Sequence, residues 1–392
     1  MSAVPTAARP KVVLFANTAW YLYNFRRSLA LALVDAGYEV LLLSPPGEYG
    51  EALRALGLRW MPAPMDRRSL NPWRELSLLF WLFRLFRRER PTLVHSFTIK
   101  CAVYGSLVAR LAGVRARVNA VAGMGYVFIS SDLKARVLRP LVRLMLRLAL
   151  GGPSARLILQ NPDDAALFAA ARLVDATQVR LIPGSGVDCA RFSQRADRAR
   201  AAGQPLRVLL AARLLWDKGL AEFVAAAREL KASGRRTSFL LAGAPDAGNP
   251  ASVEPAQVAA WVGDGLVEWL GQVTDMPALL ASVDVVVLPS YREGLPKTLI
   301  EAGACGLPLI ATDAPGCRDV VEHEVTGLLV PLRVSAPLAA AIARLEDDPA
   351  LAARLGQAAR QRVMERFDEK RVIADTMAVY REVLPETAAS TK

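Results

Sequence analysis

A chain of 392 residues, 53% apolar and 22% charged, is too long for one ordinary domain and apolar enough to bury two cores, which excludes global disorder. The net charge of +12 belongs to the first half alone. Residues 1–195 carry 27 Lys and Arg against 12 Asp and Glu, and the remainder carries 22 against 25. A half so basic calls for an anionic partner, either nucleic acid or an anionic membrane surface. The first residues, Met1 to Pro10, show no charged start followed by an apolar run and do not read as a signal peptide. The greasiest stretches, Leu78–Phe86 and Val137–Leu150, are interrupted by arginines, and a span needs about 20 apolar residues, so no transmembrane helix is expected. Cys101, Cys189, Cys305 and Cys317 are widely spaced without a CxxC pair, which fits reduced thiols and not a zinc site or a disulfide frame.

In chain order, short apolar runs alternate with amphipathic stretches. The first half offers strands at Lys11–Ala16, Glu39–Ser44, Thr92–Ser96, Ala116–Val121, Ala155–Gln160 and Val179–Pro183, with helical patterns such as Phe25–Ala36, Pro72–Arg88 and Leu133–Leu150 between them. The pattern restarts with strands at Leu206–Ala212, Ser238–Ala242, Val267–Leu270, Asp284–Pro289, Pro308–Thr312 and Gly327–Val330. Strands apolar throughout and separated by helices imply parallel sheets covered on both faces, an α/β chain of two Rossmann-like domains. The expected organisation is a first domain over residues 1–190, a polar, Arg- and Ala-rich linker over 191–205, a second domain over 206–368, and a C-terminal helix and tail over 369–392 that returns toward the first domain. Doubly wound domains bind ligands at the carboxyl ends of their strands, so a cleft between the two is the default place for a site.

The densest group of chemistry-bearing residues follows the strand Asp284–Pro289. After the loop Ser290–Leu295, Pro296 suits the first turn of a helix, where its missing N–H is not needed. The helix should run to about Cys305 and stop at Gly306. Its free N–H groups and dipole suit a diphosphate. Glu293 in the loop and Glu301 on the helix can accept hydroxyl hydrogen bonds from a sugar or ribose. A single Glu here would more simply serve the helix dipole or stand solvated. Two at this spacing, around GLPKT and after a buried strand, favour binding. In the loop after Leu206–Ala212, RLLWDKG, Arg213 and Lys218 can neutralise a diphosphate and the charge that grows as it leaves, and taken alone they fit a pair of solvated basic residues equally well.

The segment Glu293–Glu301 resembles the Glu-x7-Glu signature of the retaining glycosyltransferase family 4, of the GT-B fold. The resemblance implies that Glu293 lies beside the donor sugar hydroxyls, that Glu301 holds the nucleotide ribose, and that the backbone of Gly294, Leu295, Pro296, Lys297 and Thr298 lines the donor pocket. It also implies that Arg213 and Lys218 clamp the donor diphosphate, and that attack comes from the front face. No Asp-x-Asp stands near these loops, so neither a metal nor any other cofactor is expected. The loop Asn17–Asn24 after the first strand is aromatic and polar, not a GxGxxG, which disfavours a nicotinamide site. With Val121–Phe128 (VAGMGYVF) and Asn161–Asp164, it resembles a subgroup that adds N-acetylhexosamine or related sugars to polyprenyl-diphosphate-linked acceptors in O-antigen, capsule or protein-glycosylation pathways. Asn17, Tyr21, Tyr23, Gly123 and Gly125 are the acceptor-side residues this implies. Many family members carry a His after the fourth strand, where this chain has Ala122-Gly123. His95 and His323 are the only histidines, and a lone His95 on its strand is more simply structural.

Asn161-Pro162-Asp163-Asp164 reads as a helix cap, Gly184–Asp188 as a turn at the hinge, and Gly316–Asp319 as a loop with a cap. The helical patterns Pro72–Arg90 and Leu133–Leu150 mix bulky apolar residues with Arg. Each alone fits a core-facing helix with a solvated basic face. Together with the charge of that half they point to a surface lying on an anionic leaflet, at about 1 kcal/mol for each near-surface cation. No nucleic-acid motif is present, and none is expected as partner. The expectation is thus a hexosyltransferase, peripheral on the cytoplasmic face of the cell membrane, moving a UDP-linked sugar to a lipid-linked saccharide. Two rivals stand beside it: a sugar-nucleotide epimerase of the same architecture, and a non-enzymatic membrane- or nucleic-acid-binding protein.

Overall fold

The structure is a computed structural model, and it describes residues 9–67, 69, 71–121, 133–194, 203–246 and 248–384. The chain divides into two compact units. One comprises Met1–Ser185 with Val372–Lys392, the other Gly186–Arg371. Each is a doubly wound α/β body. The first holds a seven-stranded sheet of β1 (Lys11–Phe15), β2 (Glu39–Ser44), β3 (Arg59–Pro62), β4 (Leu93–Phe97), β5 (Ala116–Ala120), β6 (Ala155–Leu159) and β7 (Val179–Leu181). The second holds six strands: β8 (Leu206–Ala211), β9 (Thr237–Ala242), β10 (Glu268–Gly271), β11 (Val285–Leu288), β12 (Leu309–Thr312) and β13 (Gly327–Val330).

Both sheets are parallel throughout, in the orders β3-β2-β1-β4-β5-β6-β7 and β10-β9-β8-β11-β12-β13. The order therefore reverses between β1 and β4 in one and between β8 and β11 in the other. Such switch points open a crevice at the carboxyl ends of the two flanking strands. The central strands are buried on both faces. Val12–Phe15 and Val286–Val287 have no accessible surface, which is why they read as unbroken apolar runs instead of alternating ones.

Three details depart from the sequence reading. The edge strand β3, Arg-Trp-Met-Pro, is too short and mixed to stand out by periodicity. Its Trp60 is nevertheless buried and donates to the Ser44 hydroxyl at 2.9 Å. The aromatic loop after β1 is only Asn17-Thr18. Thr18 caps a helical segment from Ala19, accepting from the Tyr21 N–H at 3.1 Å, so Trp20 to Asn24 are helical and not loop. Helix Arg27–Asp35 continues from them. Pro296 caps the helix Lys297–Ala304 instead of occupying its first turn. Asn161 behaves as a cap, accepting from the Asp164 N–H at 2.7 Å.

The last helix, Glu369–Val383, belongs from Val372 onward to the first unit. Val372, Val379, Tyr380 and Val383 join the cluster that holds Val12, Leu14 and Phe97. Glu382 accepts from Arg180 at 2.6 Å and Arg156 at 2.8 Å, which holds its carboxyl below the usual range. Much of the stretch read as a linker, and the segment with Ala122, Gly123 and Gly125, lie outside the described residues. Among the described residues no helix is long and apolar enough to cross a membrane.

Candidate active site

The switch point of the second unit gathers the residues singled out around Glu293. After β8 the chain makes a single 3-10 turn, Trp216–Lys218. After β11 it runs through Ser290 to Pro296 before the helix Lys297–Ala304 begins. The two loops are laced together. The carbonyl of Asp217 accepts from the Tyr291 N–H at 2.9 Å and from the Ser290 hydroxyl at 3.1 Å. Gly219 touches the Pro289 carbonyl so closely that a Cβ would collide with it, and its φ of 74° is one that L side chains rarely adopt. The Thr298 hydroxyl donates to the Ala211 carbonyl at 2.9 Å, pinning the helix start to the end of β8. Thr298 can therefore offer a ligand its backbone more readily than its side chain.

This lacing sets Lys218 against Glu293. The ammonium donates to Oε1 at 2.7 Å, with both side chains largely enclosed. Residues 75 apart in sequence thus form one charged unit beside the helix start. Glu293 is backed by the loop after β12. Its N–H donates to the Pro315 carbonyl at 3.0 Å, and a Cβ on Gly316, whose φ is 82°, would strike the Glu293 carbonyl. Asp319 in turn accepts from the Gly316 N–H at 3.0 Å. The Gly316–Asp319 loop is thus a cap, and it also props Glu293.

Glu301 lies inside the helix with 9% of its surface accessible. Burial pushes its carboxyl up from the usual range. Lys297, 3.8 Å away, and Arg191 pull the other way and only partly offset it. A buried carboxylate held above its ordinary pKa is costly to keep and is found more often in binding sites than in plain structure. Arg213 stands apart from this group. It is well exposed and donates to Asp246 at 3.0 Å. An exposed ion pair contributes about 0–1 kcal/mol, so it holds Arg213 only weakly. Asp217, Asp246 and Arg191 were not found from sequence, and Gly316 was read only as part of a capped loop. Their parts depend on which loops meet, and no local pattern marks them.

In the first unit Tyr21 and Tyr23 separate. The Tyr21 hydroxyl accepts from Arg26 at 3.0 Å, whereas the Tyr23 ring lies 5.3 Å from that of Tyr49 and under Arg27. Asn17 precedes the cap of the first helical turn. His95 is mid-strand and buried, with Nδ1 2.6 Å from the Tyr380 hydroxyl; burial, and then Arg26, hold its pKa well below the usual histidine value. It stays neutral and reads as a core residue.

The helices Pro72–Glu89 and Leu133–Leu150 differ from simple core-facing amphipaths. Pro72–Glu89 buries Leu78, Leu82, Leu85 and Phe86. It turns Trp73, Leu76, Phe80 and Phe83 outward, with Trp73 80% and Phe80 62% exposed, among exposed Arg74, Arg84, Arg87 and Arg88. Leu133–Leu150 likewise exposes Leu141, Leu144 and Leu148. Both helices pack against Ile99–Leu111.

Both units of the chain resemble known proteins. The family model described as glycosyl transferases group 1 matches residues 193–362, and that described as glycosyl transferase 4-like domain matches residues 24–184. The chain is 29% identical over 375 residues to an N,N'-diacetylbacillosaminyl-diphospho-undecaprenol alpha-1,3-N-acetylgalactosaminyltransferase of Campylobacter jejuni, covering 93% of this chain and 96% of that protein. It is 26% identical over 309 residues to a UDP-Gal:alpha-D-GlcNAc-diphosphoundecaprenol alpha-1,3-galactosyltransferase of Escherichia coli, covering 72% and 74%. Among solved structures, a sucrose-phosphate synthase of Thermosynechococcus elongatus superposes with a TM-score of 0.78 at 23% identity, covering 96% of this chain and 99% of that one. The Anabaena protein Alr3699/HepE in complex with UDP gives 0.74 at 20%, covering 94% and 99%. With a matched family domain in each of its two doubly wound units, the chain belongs to the glycosyltransferases of the GT-B fold.

Proposed function

We propose that this glycosyltransferase moves a hexose or N-acetylhexosamine from a UDP-sugar to a saccharide carried on a polyprenyl diphosphate, with retention at the anomeric carbon. The observation that carries the reading is the Lys218–Glu293 pair at 2.7 Å in the loops that precede the helix Lys297–Ala304, which itself buries Glu301. In this reading Glu293 holds donor sugar hydroxyls and Glu301 the ribose. The backbone from Gly294 to Thr298 and the dipole of Lys297–Ala304 face the diphosphate. Lys218 stabilises the diphosphate as the anomeric C–O bond breaks, and Arg213 leaves Asp246 to join it. The acceptor hydroxyl attacks on the same face and passes its proton to the departing phosphate oxygen. The relatives named above support the lipid-diphosphate acceptor.

The enzyme in this reading works at the inner face of the cell membrane. The outward stripe of Trp73, Leu76, Phe80 and Phe83 enters the headgroup region while the flanking arginines meet anionic lipid. The double substitution Trp73→Glu with Phe80→Glu should lower binding to anionic vesicles at least about tenfold. The melting temperature should be unchanged, because neither side chain is in the core. Co-sedimentation checks this, and undiminished binding would remove the helix from the membrane face. The reaction itself is tested with a panel of nucleotide sugars and a polyprenyl-diphosphate-linked saccharide, with product anomers read by NMR. Donor epimerised and released without acceptor would instead favour the epimerase, and no donor consumed would reject the transfer.

A further inference from the structure

The switch point of the first sheet, between β1 and β4, has its own unusual feature. After β1, the loop Asn17-Thr18 and the helical turn Ala19–Tyr21, the chain forms a π-helical turn, Leu22–Arg26, a rare conformation that concentrates at functional sites. Arg26 closes it and falls on the core-facing side, in line with buried Leu22, Leu29 and Leu33. It is itself only 5% exposed. Its guanidinium lies over the Phe97 ring, 4.4 Å from the centroid, at the carboxyl end of β4. It donates to the Tyr21 hydroxyl at 3.0 Å and to the Gly184 carbonyl at 3.4 Å. Its Nε has no hydrogen-bond partner, and no described carboxylate pairs with it. The residue after Phe97, Thr98, is held at φ 72° and ψ 157°, a region open essentially to glycine.

A buried cation without a counter-charge is costly, and an apolar side chain at this core position would avoid the cost. Neutral groups surround it: Tyr21, Phe97, and a His95 that burial keeps uncharged. The missing partner is therefore an anion that arrives with a ligand. We propose that Arg26 and the Tyr21 hydroxyl receive a phosphate of the acceptor's diphosphate. The planar guanidinium matches phosphate oxygens, and the Tyr21 hydroxyl, which accepts from Arg26, retains its own proton to donate. This inference rests on the lipid-diphosphate acceptor proposed above and adds the residue that distinguishes such an acceptor from a neutral one.

The test uses the full chain and two acceptors with the same saccharide, one on a lipid diphosphate and one on a neutral alkyl chain. In Arg26→Met, KM for the diphosphate acceptor should rise about 10- to 100-fold, while KM for the neutral acceptor and for the donor changes little. Arg26→Lys should fall between, since it keeps the charge but loses the fork. Equal losses on both acceptors, or no loss on either, would overturn the proposal, the former marking a purely structural arginine. Should Arg26→Met not fold, the wild-type protein decides. Inorganic pyrophosphate should compete with the diphosphate acceptor in a way that saturating donor does not relieve; full relief by donor would overturn the proposal. A wild-type protein that glycosylates the neutral acceptor but not the diphosphate one would reject the acceptor reading, and this inference with it.

Discussion

Replacing Glu293 with Gln is expected to lower kcat about 10²- to 10³-fold, the usual effect of removing one preorganised polar contact to a transition state. The fold should survive, because the loop is held by backbone bonds to Asp217 and Pro315 and by the close approach of Gly316, none of which needs the carboxylate. Lys218→Met should lose a similar factor, since its ammonium is the enclosed cation held directly on Glu293. Their coupling is the sharper measurement. If the pair acts as one unit on the donor, the double variant will be little worse than the poorer single variant. Fully multiplicative losses would mean two independent roles. Activity of Glu293→Gln within about threefold of wild type would remove Glu293 from the chemistry.

Glu301→Gln is expected to move stability and binding in opposite directions. The buried carboxylate has a folded-state pKa above its unfolded value. Such a group favours folding at pH below its unfolded pKa, near 4.5, and that contribution is lost as pH rises through the folded-state value. At neutral pH its charge is therefore a burden. The amide should raise the melting temperature by a few degrees, at about 2–4 °C per kcal/mol in a unit of this size. The gain should shrink as the pH falls toward 4.5. UDP should meanwhile bind about tenfold more weakly, because a charge-assisted acceptor for the ribose becomes a neutral one. Thermal scans across pH, paired with UDP titration, read both. A variant less stable at neutral pH, or one that binds UDP unchanged, would show Glu301 to be a structural residue.

Both predictions concern residues visible in sequence. Glu293 and Glu301 stood out because a buried strand, a loop and a helix start follow one another without long-range help. A parallel strand buried on both faces is an unbroken apolar run, and a helix start exposes N–H groups whatever surrounds it. The doubly wound class was legible for the same reason. Local pattern failed where it had to be short or mixed, as in β3, and where a cap decides a boundary, as at Thr18 and Pro296.

What the sequence by itself determined was therefore the class of the fold and the Glu293–Glu301 segment as a strand, loop and helix start, both written in neighbouring residues. The tertiary structure alone decided which charges meet. It set Lys218 on Glu293 across 75 residues, turned Arg213 to Asp246, and enclosed Arg26 with no described carboxylate beside it. It also decided that Trp73 and Phe80 face outward while Leu78 and Leu82 face in, although all four are apolar residues of one helix. The physical reason is common to these cases. Coulomb and packing energies depend on distance and burial, and loop-to-loop contact sets both at separations that no periodicity in the chain records.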